Sequence, residues 1–370
     1  MLAYAARRLA IAVPTLFAVS LVMYAILFRV GDPVAALRGT ARLDPREVQA
    51  IIHDAGYDRP LLVQYGRWLR GFVSGDWQRS IENGQPVLSE IGGRLPATLE
   101  LMGIALLLML ALSLPIGIVG AARRGSAFDQ LTTGFAYLGY AIPAFLLGLL
   151  LQIAAVRVKE TGWGVLLVAA GAGALLAGML GIRRRPGQLT AAVGAALVVL
   201  GALLWSWRQG DFLVYTAQRF SPFASESVWS VDHLQHLVLP VLTLAVVQVA
   251  TWSRFLRASM LDALGADYVR TARAKGLPPR SVIGRHAFRN ALVPLITVVA
   301  IDAAALFSGA VVTEQVFAWP GIGTRFLHAV EVKDIPVAMG IVMVGAIAVV
   351  TLNLLADIAY SLADPRIRLV

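Results

Sequence analysis

The sequence predicts an all-α fold, a polytopic bundle of transmembrane helices, and three observations carry that expectation. Of the 370 residues, 58% are hydrophobic and 15% are charged, where a soluble domain carries about 25% charged residues. Apolar stretches long enough to cross a hydrocarbon core of about 30 Å recur along the whole chain. Between them, Lys and Arg gather in alternate connections, as they do in loops held on the cytosolic side of a membrane. That placement accounts for the net charge of +10 without nucleic acid as a partner. Cys is absent, which excludes disulfides, thiolate metal sites and a thiol nucleophile.

Taken in order, eight candidate spans cover about 9–28, 99–120, 130–156, 163–182, 189–207, 237–255, 291–313 and 336–360. The first follows Arg7 and Arg8, as in a signal peptide, but its run from Leu9 to Phe28 exceeds the roughly 7–15 apolar residues of a signal peptide. It reads as an uncleaved helix, making residues 1–30 an N-terminal membrane segment. Residues 31–97 form an outer segment in which Leu61, Leu62, Tyr65, Trp68, Leu69 and Phe72 recur at helical spacing. This amphipathic helix either lies at the membrane surface or packs on the outer mouth. Residues 98–370 hold the remaining spans, including a hairpin at about 157–210 joined by Arg183, Arg184 and Arg185. With the N-terminus inside, the cytosolic connections carry a net +13 and the outer ones balance. The reverse topology would place that excess outside, against the rule for short loops. Both termini are therefore expected in the cytosol.

The largest cytosolic connection, about 257–290, is the informative one. Ala266 to Lys275 are mostly good helix formers, Gly276 stands where a C-cap belongs, and Pro278 and Pro279 stop continuation. A helix of two to three turns is expected, with Ala272 and Gly276 four apart on one face. Small residues there would let another surface come close, inside a ring of charge from Arg270, Arg273 and Lys275. On physical grounds alone, such a helix meets lipid or a protein partner equally well.

Catalysis is not expected. The chain has no Gly-x-x-x-x-Gly-Lys-Ser/Thr, no His-Glu-x-x-His and no serine elbow. His233 and His236 are spaced for one helix face, but the chain has no Cys to complete a metal site with them, and a helix-entry role is the simpler reading. Acids within spans are more informative, because a charge at mid-membrane costs about 2.5–3.5 kcal/mol on insertion scales. Asp302, deep in its span, either lines a translocation path or hydrogen-bonds a neighbouring helix. Glu100 and Asp357 lie nearer span ends. Pro143, mid-span, is expected to kink its helix and free carbonyls, with Tyr140 and Phe145 beside it facing solute or lipid. Asp302, Tyr140, Phe145 and Glu100 are thus the candidates for a path.

The segment from Tyr268 to Pro294, YVRTARAKGL…RHAFRNALVP, resembles the cytoplasmic coupling loop of binding-protein-dependent ATP-binding cassette permeases. It is most similar to the dipeptide/oligopeptide/nickel branch. The general family pattern, Glu-Ala-Ala-x-x-x-Gly, keeps only Ala272 and Gly276 here, with Arg270 and Thr271 in the other places, a departure that the branch shares. Further likeness runs from Arg7-Arg8-Leu9 through Tyr57-Asp-Arg-Pro60, Gly139-Tyr-Ala-Ile-Pro-Ala-Phe145, His236-Leu-Val-Leu-Pro240 and Phe317-Ala-Trp-Pro-Gly-Ile-Gly323 to Ala363-Asp-Pro-Arg366.

The resemblance implies the type I ABC importer permease fold, with six core spans and the hairpin as a peripheral addition. It implies a multi-pass subunit in the cytoplasmic membrane of a bacterium or archaeon. A second homologous permease would complete the path, two cytosolic ATPases would bind ATP and Mg, and an extracytoplasmic binding protein would deliver a peptide or similar small solute. No cofactor is implied in this chain. Tyr268, Thr271, Ala272, Arg273, Ala274, Lys275, Gly276 and Leu277 would meet the ATPases. Trp68, Trp319 and Gly321 would serve an outer gate or the binding-protein contact. Two other functions stand beside this one: an ion-coupled secondary transporter, which needs intramembrane acids at related positions of a repeat, and an assembly subunit without transport. ATP turnover stimulated by added ATPase subunits separates the first from both.

Overall fold

The computed structural model of the protein describes residues 2–30, 58–161, 217–219 and 230–363, with the isolated positions 46, 49, 52, 53 and 56. Its helices are α1 (Leu2–Val30), α2 (Leu61–Ser74), α3 (Val87–Ala122), α4 (Ala127–Ala141), α5 (Ala144–Thr161), α6 (Val231–Gly265), α7 (Asp267–Ala274), α8 (Arg289–Val316), α9 (Ile322–Glu331) and α10 (Ile335–Ala363). A turn at Pro279–Ser281 and a π-helical stretch, Val282–Phe288, lead into α8. Among the described residues, five segments are long and apolar enough to cross a membrane: Ala10–Arg29, Val87–Ala122, Asp232–Gly265, Pro279–Phe307 and Ile335–Leu355. Each coincides with an expected span. The expected spans at 163–182 and 189–207 lie outside the described residues.

The third expected span takes a different form. In place of one kinked helix, α4 and α5 are separate helices bent by 106°. The residue before a proline is pushed out of helical backbone, and Ile142 is extended at φ −93°, ψ 121°. Pro143 then opens the next helix, its carbonyl accepting from the Leu147 N–H at 3.0 Å.

The helices also outrun their apolar stretches. The 36 residues of α3 extend about 54 Å at 1.5 Å per residue, well beyond the hydrocarbon core. The expected end of the outer segment at residue 97 therefore falls inside a helix that starts at Val87. Hydropathy marks only the lipid-bathed part of a helix, so it misses the turns that continue into protein.

Two compact units are distinguishable, residues 1–100 with 320–361, and residues 101–319. In the first, α2 packs on α1 through an aromatic stripe. Tyr65 and Trp68 are buried, the Tyr65 hydroxyl lies 2.8 Å from Ser20 Oγ, and the Tyr24 ring meets the Tyr65 ring edge-on at 5.5 Å. Leu61, Leu62 and Val63 of the same helix stay exposed. Gly340 brings α10 against α3, since a Cβ there would sit 2.6 Å from Val87 Cγ1. In the second unit α6 is the hub, packed on α8, α4 and α5, with Trp252, Leu256 and Met260 fully buried.

Candidate coupling loop and intramembrane carboxylate

The expected loop helix forms as α7. Asp267 occupies its first turn, where the helix dipole favours an acid, and pairs with Arg270. The hydroxyl of Thr271 donates to the Asp267 carbonyl at 3.0 Å. The helix stops at Gly276, whose φ of +76° lies in the left-handed region that glycine enters without strain. The Gly276 and Leu277 N–H groups close the end on the carbonyls of Arg273 and Ala272, at 2.9 and 3.3 Å.

The faces of α7 depart from expectation. Ala272 is buried with Val269, and α7 packs on the π-helical stretch and on α6. The small residue lets α7 lie down on its own chain and is not itself an open contact surface. The exposed ridge consists of Tyr268, Thr271, Arg273, Ala274, Lys275, Gly276 and Leu277, with Arg270 beside them. Arg280, Arg285 and Arg289 are also exposed and extend the positive surface to the start of α8.

Within α8, Asp302 is half-buried. The indole N–H of the fully buried Trp252 on α6 donates to its Oδ2 at 2.6 Å. Of the two readings open for Asp302, the hydrogen bond to a neighbouring helix is realised, and the carboxylate retains partial exposure. Tyr140 and Phe145, at the α4–α5 break, are 72% and 50% exposed. Glu100 on α3 is half-buried.

The outer candidates Trp68, Trp319 and Gly321 are all buried within the chain. Trp68 belongs to the stripe that seats α2 on α1. The Trp319 ring lies 5.8 Å from that of His233 and 6.0 Å from the Arg219 guanidinium. His233 sits at the entry of α6, its N–H donating to Ser230 Oγ at 3.2 Å. Among the described residues, no three His, Cys, Asp or Glu side chains converge as metal ligands.

A cluster that sequence reasoning missed centres on Arg325 of α9, which is 4% exposed. Its guanidinium donates to Glu90 at 2.6 Å, Glu82 at 2.9 Å and Asp334 at 3.2 Å. Asp334 is fully buried and also accepts from Ser80 Oγ and from the Ile81 N–H. His328 Nε2 lies 2.9 Å from Glu82. Burial works to raise the Glu82 carboxyl, but hydrogen bonding from His328 and attraction to Arg325 outweigh it and hold the group below the usual carboxylate range. Burial likewise opposes the Arg325 charge, and the carboxylates of Glu90, Asp334 and Glu82 more than offset it. The one signal available in the sequence was the equal number of acids and bases in the outer segments, which fits paired charges.

Long apolar helices joined by an exposed basic loop define the class, a multi-pass membrane protein. Residues 113–369 match the family described as binding-protein-dependent transport system inner membrane component, and residues 1–102 match the N-terminal membrane component of such systems. The chain is 35% identical over 373 residues to the di/tripeptide transport system permease protein DppB of Pseudomonas aeruginosa strain UCBPP-PA14, covering 100% of this chain and 99% of the relative. It is 32% identical over 369 residues to the dipeptide transport system permease protein DppB of Escherichia coli K12, with 100% and 99% covered. It is 33% identical over 373 residues to the oligopeptide transport system permease protein AppB of Bacillus subtilis 168, with 99% of each covered. The chain therefore belongs to the binding-protein-dependent transport system inner membrane component family, as a permease subunit of an ATP-driven importer.

Proposed function

We propose that this subunit forms one half of a membrane path for peptides or similar small solutes, with both termini in the cytosol. A second permease completes the path, an extracytoplasmic binding protein delivers the solute, and two cytosolic ATPases bind ATP and Mg. The observation that carries this reading is the exposed basic ridge of α7. It is braced on α6 and leads through the π-helical stretch into α8, the helix that bears Asp302. Names of full-length relatives support a peptide as solute. The concentration of Lys and Arg on the loop side supports the orientation. When the ATPases close on nucleotide, the ridge moves as a lever and takes the attached helices with it. Asp302, Tyr140, Phe145 and Glu100 face the solute at some stage, and the Asp302 carboxylate offers a counter-charge to a peptide amino group.

Gly276→Trp tests the assignment. Nothing lies within 4 Å of where a Cβ would sit, so the indole has room within the chain. The left-handed φ costs about 1 kcal/mol for a residue with a side chain. The variant is expected to insert and fold, while its bulk keeps the ATPase from seating and ATP hydrolysis becomes uncoupled from uptake. Uptake of dialanine at the parent rate in proteoliposomes would reject the loop as the coupling site.

A further inference from the structure

One ion pair in the 101–319 unit lies where the loop joins its helices. Arg257 is on α6, about two turns before its end at Gly265, and its Nη2 donates to Asp129 Oδ2 at 2.8 Å while Nε donates to Oδ1. Asp129 is 4% exposed and stands in the first turn of α4. Its Oδ2 also accepts from the Gly125 N–H at 2.8 Å, and its own N–H donates to Ser126 Oγ at 3.3 Å. One carboxylate thus ties α6 to the turn between α3 and α4. The backbones close up beside it. A Cβ at Gly117 of α3 would sit 2.9 Å from both the Ser253 carbonyl oxygen and Leu256 Cβ of α6. A Cβ at Gly120 would sit 3.5 Å from Arg257 Cδ and from Asp129 Oδ1. Arg254, one turn back on α6, lies over the Tyr137 ring of α4 at 4.2 Å.

We infer that Asp129 and Arg257 are positioning residues, forming the joint through which displacement of the basic loop is passed to α3 and α4. The inference rests on the coupling role proposed above for that loop. A two-pronged guanidinium–carboxylate contact fixes direction as well as distance. It transmits a pull as well as a push, whereas apolar side chains slide. Stability alone does not call for such a pair, since a buried ion pair is often replaceable by apolar residues at no loss. With α7 and the π-helical stretch packed on α6, the loop, the end of α6 and the α3–α4 turn move as one block.

The test uses the complete transporter in proteoliposomes with dialanine as solute. Asp129→Asn keeps the shape and removes the charge, and Arg257→Lys keeps the charge and removes the fork. Both variants are expected to insert, assemble and hydrolyse ATP. Dialanine imported per ATP should fall about tenfold, within the range of known coupling effects. Spin labels on Arg124→Cys and Arg280→Cys add a readout that a purely structural role would not move. Their separation should stay constant between the nucleotide-free and ATP-bound parent and change on ATP binding in Asp129→Asn. Parent-like import per ATP in both variants would overturn the joint, as would a label distance that shifts with ATP in the parent. Should a variant fail to insert, the parent distances alone decide. A parent complex without ATP-dependent uptake would reject the importer reading itself, and the joint with it.

Discussion

Arg325 and Arg273 both lie in segments that connect spans, and they are put to opposite uses. Arg325 is buried and holds three carboxylates, so its charge is consumed inside the fold. Arg273 is exposed on α7, whose own acid, Asp267, is itself exposed and paired with Arg270. The first arrangement is a clasp that fastens α9 to the 78–90 stretch and the turn before α10. The second leaves its charge on the surface, where the coupling role proposed above would seat an ATPase. The comparison teaches that burial and pairing, and not residue type, separate a structural arginine from an interacting one.

The sharpest way to break this contrast is Arg325→Met. It leaves the buried carboxylates of Glu90 and Asp334 uncompensated, and removing one partner of a buried charge network costs about 3–5 kcal/mol. Thermal unfolding in detergent should occur at a markedly lower temperature, and less protein should reach the membrane. An unchanged melting temperature would show that the clasp carries no stability.

Asp302→Asn should act on transport and leave stability nearly intact. The amide oxygen still accepts from the Trp252 indole, so the α6–α8 contact survives while the charge is lost. Dialanine uptake is expected to fall about tenfold, equivalent to about 1.4 kcal/mol, with N-acetylated dialanine affected much less. Loss of assembly would make the Trp252 bond the main role of Asp302, and equal uptake of both solutes would remove it from the path.

Acid should loosen the clasp. The folded state holds Glu82 below its ordinary value of 4.5, so the stabilising contribution is present above that value. It is lost as pH falls through the lower, folded-state value. The melting temperature is therefore expected to drop as pH passes below about 4.5, and Glu82→Gln should flatten that dependence. A profile identical to the parent's would exclude Glu82 as the source.

The smallest effect belongs to Arg270→Ala. Its pair with Asp267 is 72% and 88% exposed, and exposed pairs contribute about 0–1 kcal/mol. The melting temperature should barely move, while salt-sensitive stimulation of ATP hydrolysis by the permease declines. A stability loss matching that of Arg325→Met would erase the distinction between the two regions.

By itself, the sequence determined what depends on neighbours in the chain. Apolar runs marked the membrane helices, and Gly276 with Pro278 and Pro279 marked where α7 ends. These signals lie within single continuous segments of the chain and survive without knowledge of packing. Tertiary structure alone decided which side of α7 is free, because Ala272 faces inward only once the π-helical stretch lies beneath it. It decided that Ile142–Pro143 is a 106° break, because the path of α5 depends on the helices it packs against. It buried Trp68 and Trp319. It also paired Arg325 with Glu82 across 243 residues and Arg257 with Asp129 across 128. No local pattern specifies such partners, because a charge in a linear sequence interacts with whatever the fold brings within a few ångströms.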